Sequence, residues 1–492
     1  MKIVDSAARD RAVARCRERG VLIPTLAQQR DPSGVDPSVA EALVDLDMQT
    51  PDPLNLFRIT WRNHRGSGGF GAVNALEIPS ELTGVRARIV GLVGERFPTG
   101  AHKVGAAFGC LVPRLVTGEF DPTTHRAVWP STGNYCRGGV FDSTLLGCAS
   151  IAILPEEMSR ERFEWLERMG AEIIATPGCE SNVKEIFDAC WEIRRVRPEA
   201  VVFNQFDEFG NYLWHYGVTG PAVLSAYERL AGPSDRLAAW VSATGSAGTL
   251  GAGDYLKQQY PGCRITAAEA LQCPTLLHTG FGGHRIEGIG DKHVPWIHNA
   301  RNTDMVTAID DESTMRLLRL FNEPAGRDVL LARGVAERDV HELPLLGISS
   351  IGNLIAAIKT ARWFDLDEND ILFTSFTDSV CLYHTRLREL TAERGEYDRV
   401  AAEVDFERRL LGVTTDHTRE LTYPDRKAIH NLKYFTWVEQ QGRSVEELDA
   451  LWSPAFWTDQ QSRIPEWDEA IDRFNADTGA LDALRTRTGA NQ

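Results

Sequence analysis

The stretch "VRARIVGLVGERFPTGAHKVGAAFG" (residues 85–109) holds one lysine, Lys103, close to glycines, alanines and phenylalanines. Val85, Ala87 and Ile89 alternate with other residues, which predicts a strand with one buried face followed by a strand-to-helix turn. Lysine is rarely left in an apolar run without a partner. Either the methylenes carry the amine to solvent, or the amine is desolvated and forms a Schiff base. The residues around Lys103 leave both interpretations open.

The bulk composition indicates a globular protein with a large core. Of 492 residues, 43% are hydrophobic and 25% are charged, and the formal net charge is −16, which disfavours nucleic acid as a partner. The nine cysteines form no CxxC pair, so a reduced compartment fits best. No secretory signal and no apolar run of membrane-spanning length is found. We therefore expect a cytoplasmic protein without a membrane partner.

From about residue 85 to 385, short β-branched runs alternate with amphipathic helical stretches. This alternation predicts an α/β fold, with a mostly parallel sheet covered by helices. Beyond residue 385 the chain reads as charged helices, so we expect a helical C-terminal extension. The predicted strands after the first are residues 126–130, 148–154, 171–176, 200–204, 238–243, 264–270 and 371–376.

Three loops at predicted strand ends carry groups that suit a ligand, since ligands bind at the carboxyl ends of parallel strands. "STGNYCRGG" (131–139) offers hydroxyls, an amide and a helix start that would hold a carboxylate, or it is an ordinary polar turn. "SATGSAGTLGAGDYLK" (242–257) has the small residues of a phosphate cradle, or of close helix–strand packing. "LLGISSIGN" (345–353) offers a serine hydroxyl to a heteroaromatic nitrogen, or a helix cap.

Together with the lysine, these motifs resemble the fold-type-II pyridoxal-phosphate enzymes (the tryptophan synthase β-like superfamily), and most of all cysteine synthase and cystathionine β-synthase. "PTGAHK", "STGN", "TGSAGTLGAGDYLK", "HRIEGIG" and "GISS" occur in the family's order across roughly residues 85 to 385. The resemblance implies a two-domain parallel-sheet fold with pyridoxal 5'-phosphate as cofactor. The implied domains are an N-terminal extension (1–80), a large cofactor-binding domain (81–106 and 223–385), a small domain that closes on substrate (107–222) and the helical extension (386–492).

The resemblance also implies a role for each matching residue. Lys103 would form the Schiff base, and His102 would help to hold the phosphate. Asn134 would contact the ring hydroxyl, and Ser349 would bond the pyridine nitrogen. The other implied residues are Ser131, Thr132, Gly133 and Tyr135 with Asn134 for the substrate, and Thr244, Gly245, Ser246, Ala247, Gly248 and Thr249 for the phosphate.

A neutral serine at the pyridine nitrogen makes the cofactor a weaker electron sink, which favours loss of a group from Cβ. The resemblance thus implies β-replacement or β-elimination on a small L-amino acid, through an aminoacrylate, in a homodimer. A serine/threonine dehydratase or another ammonia-lyase is the alternative, and a non-catalytic binding member of the fold is a second. "GSGGFG" (66–71) fits GxGxxG but lacks a buried strand before it, which argues against a dehydrogenase.

The chain departs from the family pattern at four positions, of which Ala247, where glycine is common in the phosphate loop, is a mild change. Tyr135 and Cys136 stand where Thr-Gly is usual, and Asp378 is unusual in the late turn "FTSFTDSV". HExxH is absent, so a zinc protease is not indicated, and we expect no metal site. These departures leave the substrate open.

Overall fold

The computed structural model describes residues 1–64, 66–131, 133–178 and 183–489, and two sheets organise these residues. The strands are β1 (Ala75–Ile78), β2 (Arg88–Val93), β3 (Arg126–Pro130), β4 (Ala149–Pro155), β5 (Glu172–Thr176), β6 (Ala200–Val202), β7 (Arg236–Ala243), β8 (Arg264–Ala270), β9 (Met305–Ile309), β10 (Asp370–Phe376) and β11 (Thr418–Glu420). The larger sheet has the order β1-β2-β10-β7-β8-β9-β11, and the smaller has the order β5-β4-β3-β6.

Both sheets are parallel except at the edges of the larger one. β2, β10, β7, β8 and β9 pair in parallel, whereas β1 and β11 are antiparallel to their neighbours. The parallel strands are almost wholly buried because helices cover both faces, as their continuous apolar runs require. The predicted α/β fold is confirmed.

Helices fill the connections between strands. Those up to the middle of the chain are α1 (Ser6–Glu18), α2 (Leu26–Arg30), α3 (Pro37–Leu43), α4 (Ser80–Thr83), α5 (Lys103–Thr117), α6 (Asn134–Leu145), α7 (Arg160–Arg168), α8 (Val183–Val196), α9 (Phe209–Trp214), α10 (Gly220–Leu230) and α11 (Leu250–Gln259). The later ones are α12 (Thr275–His278), α13 (Asp311–Asn322), α14 (Pro324–Ala332), α15 (Glu337–Glu342), α16 (Ile348–Trp363), α17 (His384–Arg394), α18 (Arg399–Asp405), α19 (Tyr423–Lys433), α20 (Val445–Ala450), α21 (Pro454–Gln461), α22 (Ile464–Thr478) and α23 (Ala480–Thr488).

Every strand predicted from the sequence is present, with ends shifted by at most three residues. β1, β9 and β11 were not predicted. Because β11 lies in the C-terminal extension and pairs with β9, the extension consists of helices and one strand. The smaller sheet, residues 126–202, lies inside the predicted small domain, whose boundaries stay a prediction. Within the described residues no single helix is long and apolar enough to span a membrane, although a sharply bent pair, 337–345 with 348–363, meets that criterion when joined.

Candidate active site

Lys103 is the first residue of α5, just beyond the carboxyl end of β2. Its ammonium group donates to Ser246 Oγ at 3.0 Å and to Gln205 Oε1 at 3.3 Å. Gln205 in turn donates from Nε2 to Ser131 Oγ at 3.4 Å, so it links the lysine to the predicted substrate turn. The amine is therefore half-buried and turned inward, which rules out the interpretation that it extends to solvent.

A small cavity surrounds this amine. Segments that follow six different strands, β2, β3, β6, β7, β8 and β10, converge on it, as expected for the carboxyl ends of parallel strands. The lining residues are Lys103, Ser131, Asn134, Tyr135, Gln205, Phe206, Gly245, Ser246, Gly288, Ile289, Asp291 and Thr377.

The turn before α6 supplies one wall of the cavity. Ser131 Oγ accepts a hydrogen bond from the Gly133 amide at 3.1 Å, and Gly133 has φ +155°, a conformation that side chains disfavour. Asn134 donates from Nδ2 to Asp378 Oδ2 at 2.6 Å, while its buried Oδ1 has no hydrogen-bond partner. Thr132 lies outside the described residues, so its predicted role stays a prediction.

The predicted phosphate loop joins β7 to α11. Ser246 Oγ accepts from Asn211 Nδ2 at 2.9 Å as well as from the lysine. A Cβ on Gly248 would lie 2.0 Å from Asn211 Oδ1, so this position has room only for glycine. Ala247 has φ +64°, the left-handed conformation for which glycine is the usual residue. The loop is therefore tightly curved, and helix α11 begins directly after it. The amide groups at the amino end of a helix are favourable for binding an anion.

Two other members of the predicted phosphate loop are held by structural contacts. Thr244 donates from Oγ1 to the Ala268 carbonyl oxygen at 3.1 Å. The Thr249 hydroxyl accepts from Ser242 Oγ at 2.7 Å. Gly245 and Ser246 line the cavity, whereas these two threonines shape the loop from behind.

Ser349 is the second residue of α16 and is 2% exposed. Its hydroxyl has no hydrogen-bond partner, and it lies 3.9 Å from the position a Cβ on Gly288 would take. A buried hydroxyl without a partner costs free energy unless a ligand satisfies it. The hydroxyl of the neighbouring Ser350 does have a partner, since it donates a hydrogen bond to the Asp378 carbonyl oxygen at 3.1 Å.

His102 does not line the cavity. Its ring lies 5.5 Å from Trp61 and 5.1 Å from His215, centroid to centroid, within an aromatic cluster. Burial, with a smaller contribution from the Lys103 charge, lowers the pKa of His102 to about 3. The imidazole is therefore neutral at physiological pH, and its predicted contact with the phosphate stays a prediction.

Asp291 is a cavity residue that sequence reasoning missed. It is 8% exposed, and its Oδ2 has no hydrogen-bond partner. Burial raises the pKa of this carboxyl to about 7, against a lowering by the Lys103 charge. The residue follows "HRIEGIG" directly, so the loop was recognised but the carboxylate beside it was not. Gln205 was missed too, and no sequence motif surrounds it.

Asp378, unusual in the sequence, anchors Asn134. Its Oδ2 also accepts from the Tyr383 hydroxyl at 2.6 Å, and Arg162 Nη2 donates to that hydroxyl at 2.9 Å. Arg162 belongs to α7 of the smaller-sheet unit, whereas Asp378 and Tyr383 follow β10 of the larger sheet. This buried cluster therefore ties the substrate turn to the larger sheet.

These residues fit pyridoxal phosphate. They offer an inward amine, a buried serine hydroxyl and an asparagine oxygen without partners, and a loop of small residues before a helix. Among the described residues, no group of three or more His, Cys, Asp or Glu side chains is placed to hold a metal ion.

Comparison with known proteins agrees with this assignment. Residues 94–336 match the family described as pyridoxal-phosphate dependent enzyme. A probable cysteine synthase of Bacillus subtilis is 27% identical over 281 residues, which are 57% of this chain and 83% of that protein. Cystathionine beta-synthase of Saccharomyces cerevisiae is 26% identical over 319 residues, 63% of this chain and 59% of that protein.

Solved structures share the fold. The crystal structure of a hydrogen sulfide-producing enzyme from Fusobacterium nucleatum superposes with a TM-score of 0.55 at 23% identity, covering 67% of this chain and 92% of that one. The chain is a pyridoxal-phosphate-dependent enzyme of fold type II. Within that class it is similar to the cysteine synthases and to cystathionine β-synthase.

Proposed function

We propose that the protein catalyses β-elimination or β-replacement on a small L-amino acid that carries a leaving group at Cβ. The observation that carries this proposal is the Lys103 amine, held in a small cavity beside Ser246 and opposite residues whose buried polar atoms await a ligand. Names of similar proteins, cysteine synthase and cystathionine beta-synthase, support the same chemistry.

Pyridoxal phosphate, when bound, makes the Cα–H bond of an amino acid acidic enough to break and lets a group leave from Cβ. Lys103 would hold the cofactor before substrate arrives. Once the substrate amine displaces it, the lysine is the base that takes the Cα proton, since it is the amine that lines the cavity. Ser349 would accept or donate a hydrogen bond at the pyridine nitrogen without imposing a charge there.

The turn at residues 131–135 would bind the substrate carboxylate. Ser131 Oγ and the amide groups at the start of α6 lie on one wall of the cavity, and a helix amino end favours an anion. Asn134 and Tyr135 complete that wall. The Asp378 contact fixes the Asn134 amide so that Oδ1 is left to face the ligand.

We propose that Asp291, which lines the cavity, acts on the leaving group. As the bond from Cβ to sulfur or oxygen breaks, the bonding pair leaves with the heteroatom, and the Asp291 carboxyl gives it a proton. In a replacement, the resulting carboxylate takes the proton of an incoming thiol. A carboxyl whose pKa is about 7 suits both steps near neutral pH.

The first experiment is the absorption spectrum of the purified protein. We expect a yellow protein whose visible band is lost in Lys103→Ala, with Lys257→Ala, a lysine paired to Asp304 far from the cavity, as control. A colourless wild type after incubation with excess cofactor would overturn the proposal. Cysteine, serine and O-acetylserine, each with and without sulfide, would then separate replacement from elimination.

A serine/threonine dehydratase is the second candidate, because Asp291 would also assist the loss of a hydroxyl group. Release of pyruvate from serine that no added thiol suppresses would favour it over a synthase. A non-catalytic role is disfavoured by the inward amine. A cytoplasmic location and a homodimer complete the proposal, and size-exclusion chromatography with light scattering tests the latter.

A further inference from the structure

The C-terminal extension packs against two of the loops that line the cavity. Its central part is α19 with the turn Tyr434–Val438 that continues it. This part lies about a hundred residues beyond the segment that matches the family, which ends at residue 336. The loops are residues 205–208, which supply Gln205 and Phe206, and residues 291–298, which begin with Asp291.

Lys433 and Trp437 hold the second loop by its backbone. The Lys433 amine, 0% exposed, donates to the carbonyl oxygens of Trp296 at 2.8 Å and His298 at 2.7 Å, and burial lowers the pKa of this amine well below its usual value. Trp437 donates from Nε1 to the Val294 carbonyl oxygen at 2.8 Å. The two side chains are one helical turn apart and so reach three carbonyl groups at alternate positions of the loop.

An aromatic contact joins the two loops at the same place. The His293 ring lies 4.9 Å from Phe206 and 5.7 Å from Trp437, centroid to centroid. Arg443 of the extension pairs with Asp207 at 2.9 Å. The extension thus contacts the residues that flank both Gln205 and Asp291.

We infer that Lys433 is a positioning residue of the active site, which fixes the loop that presents Asp291 to the leaving group. The inference rests on the proposed function. Without the lysine, the Trp296 carbonyl oxygen loses its hydrogen-bond donor, and the His298 carbonyl oxygen keeps only the Ala300 amide. A buried carbonyl group without a donor is satisfied by admitting water or by moving. Either response hydrates the loop three to five residues beyond His293 and loosens Asp291.

A looser loop changes how Asp291 titrates. The burial that raises the pKa of this carboxyl depends on the loop, while Lys103 is the charge that opposes it and the Cys273 thiol is a titratable neighbour. Hydration moves the pKa toward its usual value of 3.8. The protonated form then disappears at lower pH, and loss of a thiol or hydroxyl group slows.

The test compares Lys433→Met with Lys427→Met in the cofactor-loaded full chain. Lys427 lies on the same helix and stacks over Trp452, 4.6 Å from the ring centroid, away from both loops. We expect Lys433→Met to lower kcat with cysteine or serine about 10- to 100-fold at unchanged KM, and to move the alkaline limb of the pH profile to lower pH. With O-acetylserine, whose acetate leaves without a proton, kcat of Lys433→Met should fall at most about threefold.

Amide hydrogen exchange gives a readout that is independent of turnover. Amide hydrogen exchange in residues 291–298 should rise in Lys433→Met and stay unchanged in Lys427→Met. Lys433→Gln, which keeps two donors, should restore protection in part. If Lys433→Met does not fold, Trp437→Phe removes one donor and keeps the ring beside His293, and we expect the same changes at smaller size.

Equal losses with cysteine and O-acetylserine, or unchanged exchange at residues 291–298, would overturn the inference. Failure of the proposed function is distinguishable, because a protein without visible absorption or turnover would still report exchange in this loop. Raised exchange in such a protein would support the role of Lys433 in holding the loop while refuting the catalytic proposal.

Discussion

The buried carboxyl of Asp291 makes the stability of the cofactor-free protein depend on pH, and Asp291→Asn should remove that contribution. In the folded chain its pKa is about 7, whereas an unperturbed aspartate has 3.8. The folded state therefore favours the protonated form. Stability from this group is full below about pH 4 and is lost as the pH rises through 7.

The size of the effect follows from the shift. Three pKa units correspond to about 4 kcal/mol, all of which the wild type has lost at pH 8. At pH 5 only about 1.6 kcal/mol is lost, because the pH is little above the unfolded-state pKa. An asparagine cannot ionise, so Asp291→Asn avoids this loss. The difference in the free energy of unfolding between Asp291→Asn and wild type should therefore be about 2–3 kcal/mol more favourable to the variant at pH 8 than at pH 5.

The assay is differential scanning calorimetry of both proteins, free of cofactor, between pH 5 and 8. For a chain of this length 1 kcal/mol moves Tm by about 1–2 °C, so the Tm advantage of Asp291→Asn should grow by about 3–5 °C over this range. Asp10→Asn, an exposed aspartate on α1, is the control and should show no such trend. A Tm difference independent of pH, or a variant less stable than wild type at pH 8, would refute the reasoning.

Three further outcomes are expected. Asp291→Asn should lower kcat with cysteine or serine about 100-fold but with O-acetylserine less than threefold, as measured by pyruvate or thiol release; equal losses would remove Asp291 from the leaving-group step. Ser349→Ala should leave the Tm of the cofactor-free protein unchanged, because its hydroxyl has no partner, and weaken cofactor binding about 10-fold in a spectroscopic titration. Gly248→Ala should push the Asn211 amide from Ser246 and lower cofactor retention at least about 10-fold, whereas Gly262→Ala, with open space around it, should have no effect.

The strands that could be predicted are those whose sequences bury both faces. β7 and β8 read as continuous apolar runs because helices cover them on either side. β11 is three polar residues, Thr418–Glu420, that become a strand only by pairing with the edge of β9. No local pattern marks such a strand, since the partner that stabilises it lies more than a hundred residues away.

The site shows the same division. The loops carrying Lys103 and Ser246 were predicted because each combines small residues or hydroxyls with a strand end. The Ser349 segment was noted for its hydroxyls, but the expected strand end is wrong, because the segment follows helix α15. Gln205 and Asp291 were not, because their importance comes from where the chain folds: both lie on the cavity wall only once loops after different strands meet. Asp378 was noticed as unusual, but its hold on Asn134 required the structure.

The strand order has a consequence for how the chain folds as it is synthesised. The smaller sheet is built from one contiguous segment, residues 126–202, and can form as soon as that segment emerges from the ribosome. The larger sheet cannot, because β10, residues 370–376, inserts between β2 and β7 in its middle. Until then the halves β1-β2 and β7-β8-β9 have exposed inner edges that can pair with other chains. The nascent protein thus carries Lys103 next to an open half-sheet for nearly 270 residues of synthesis.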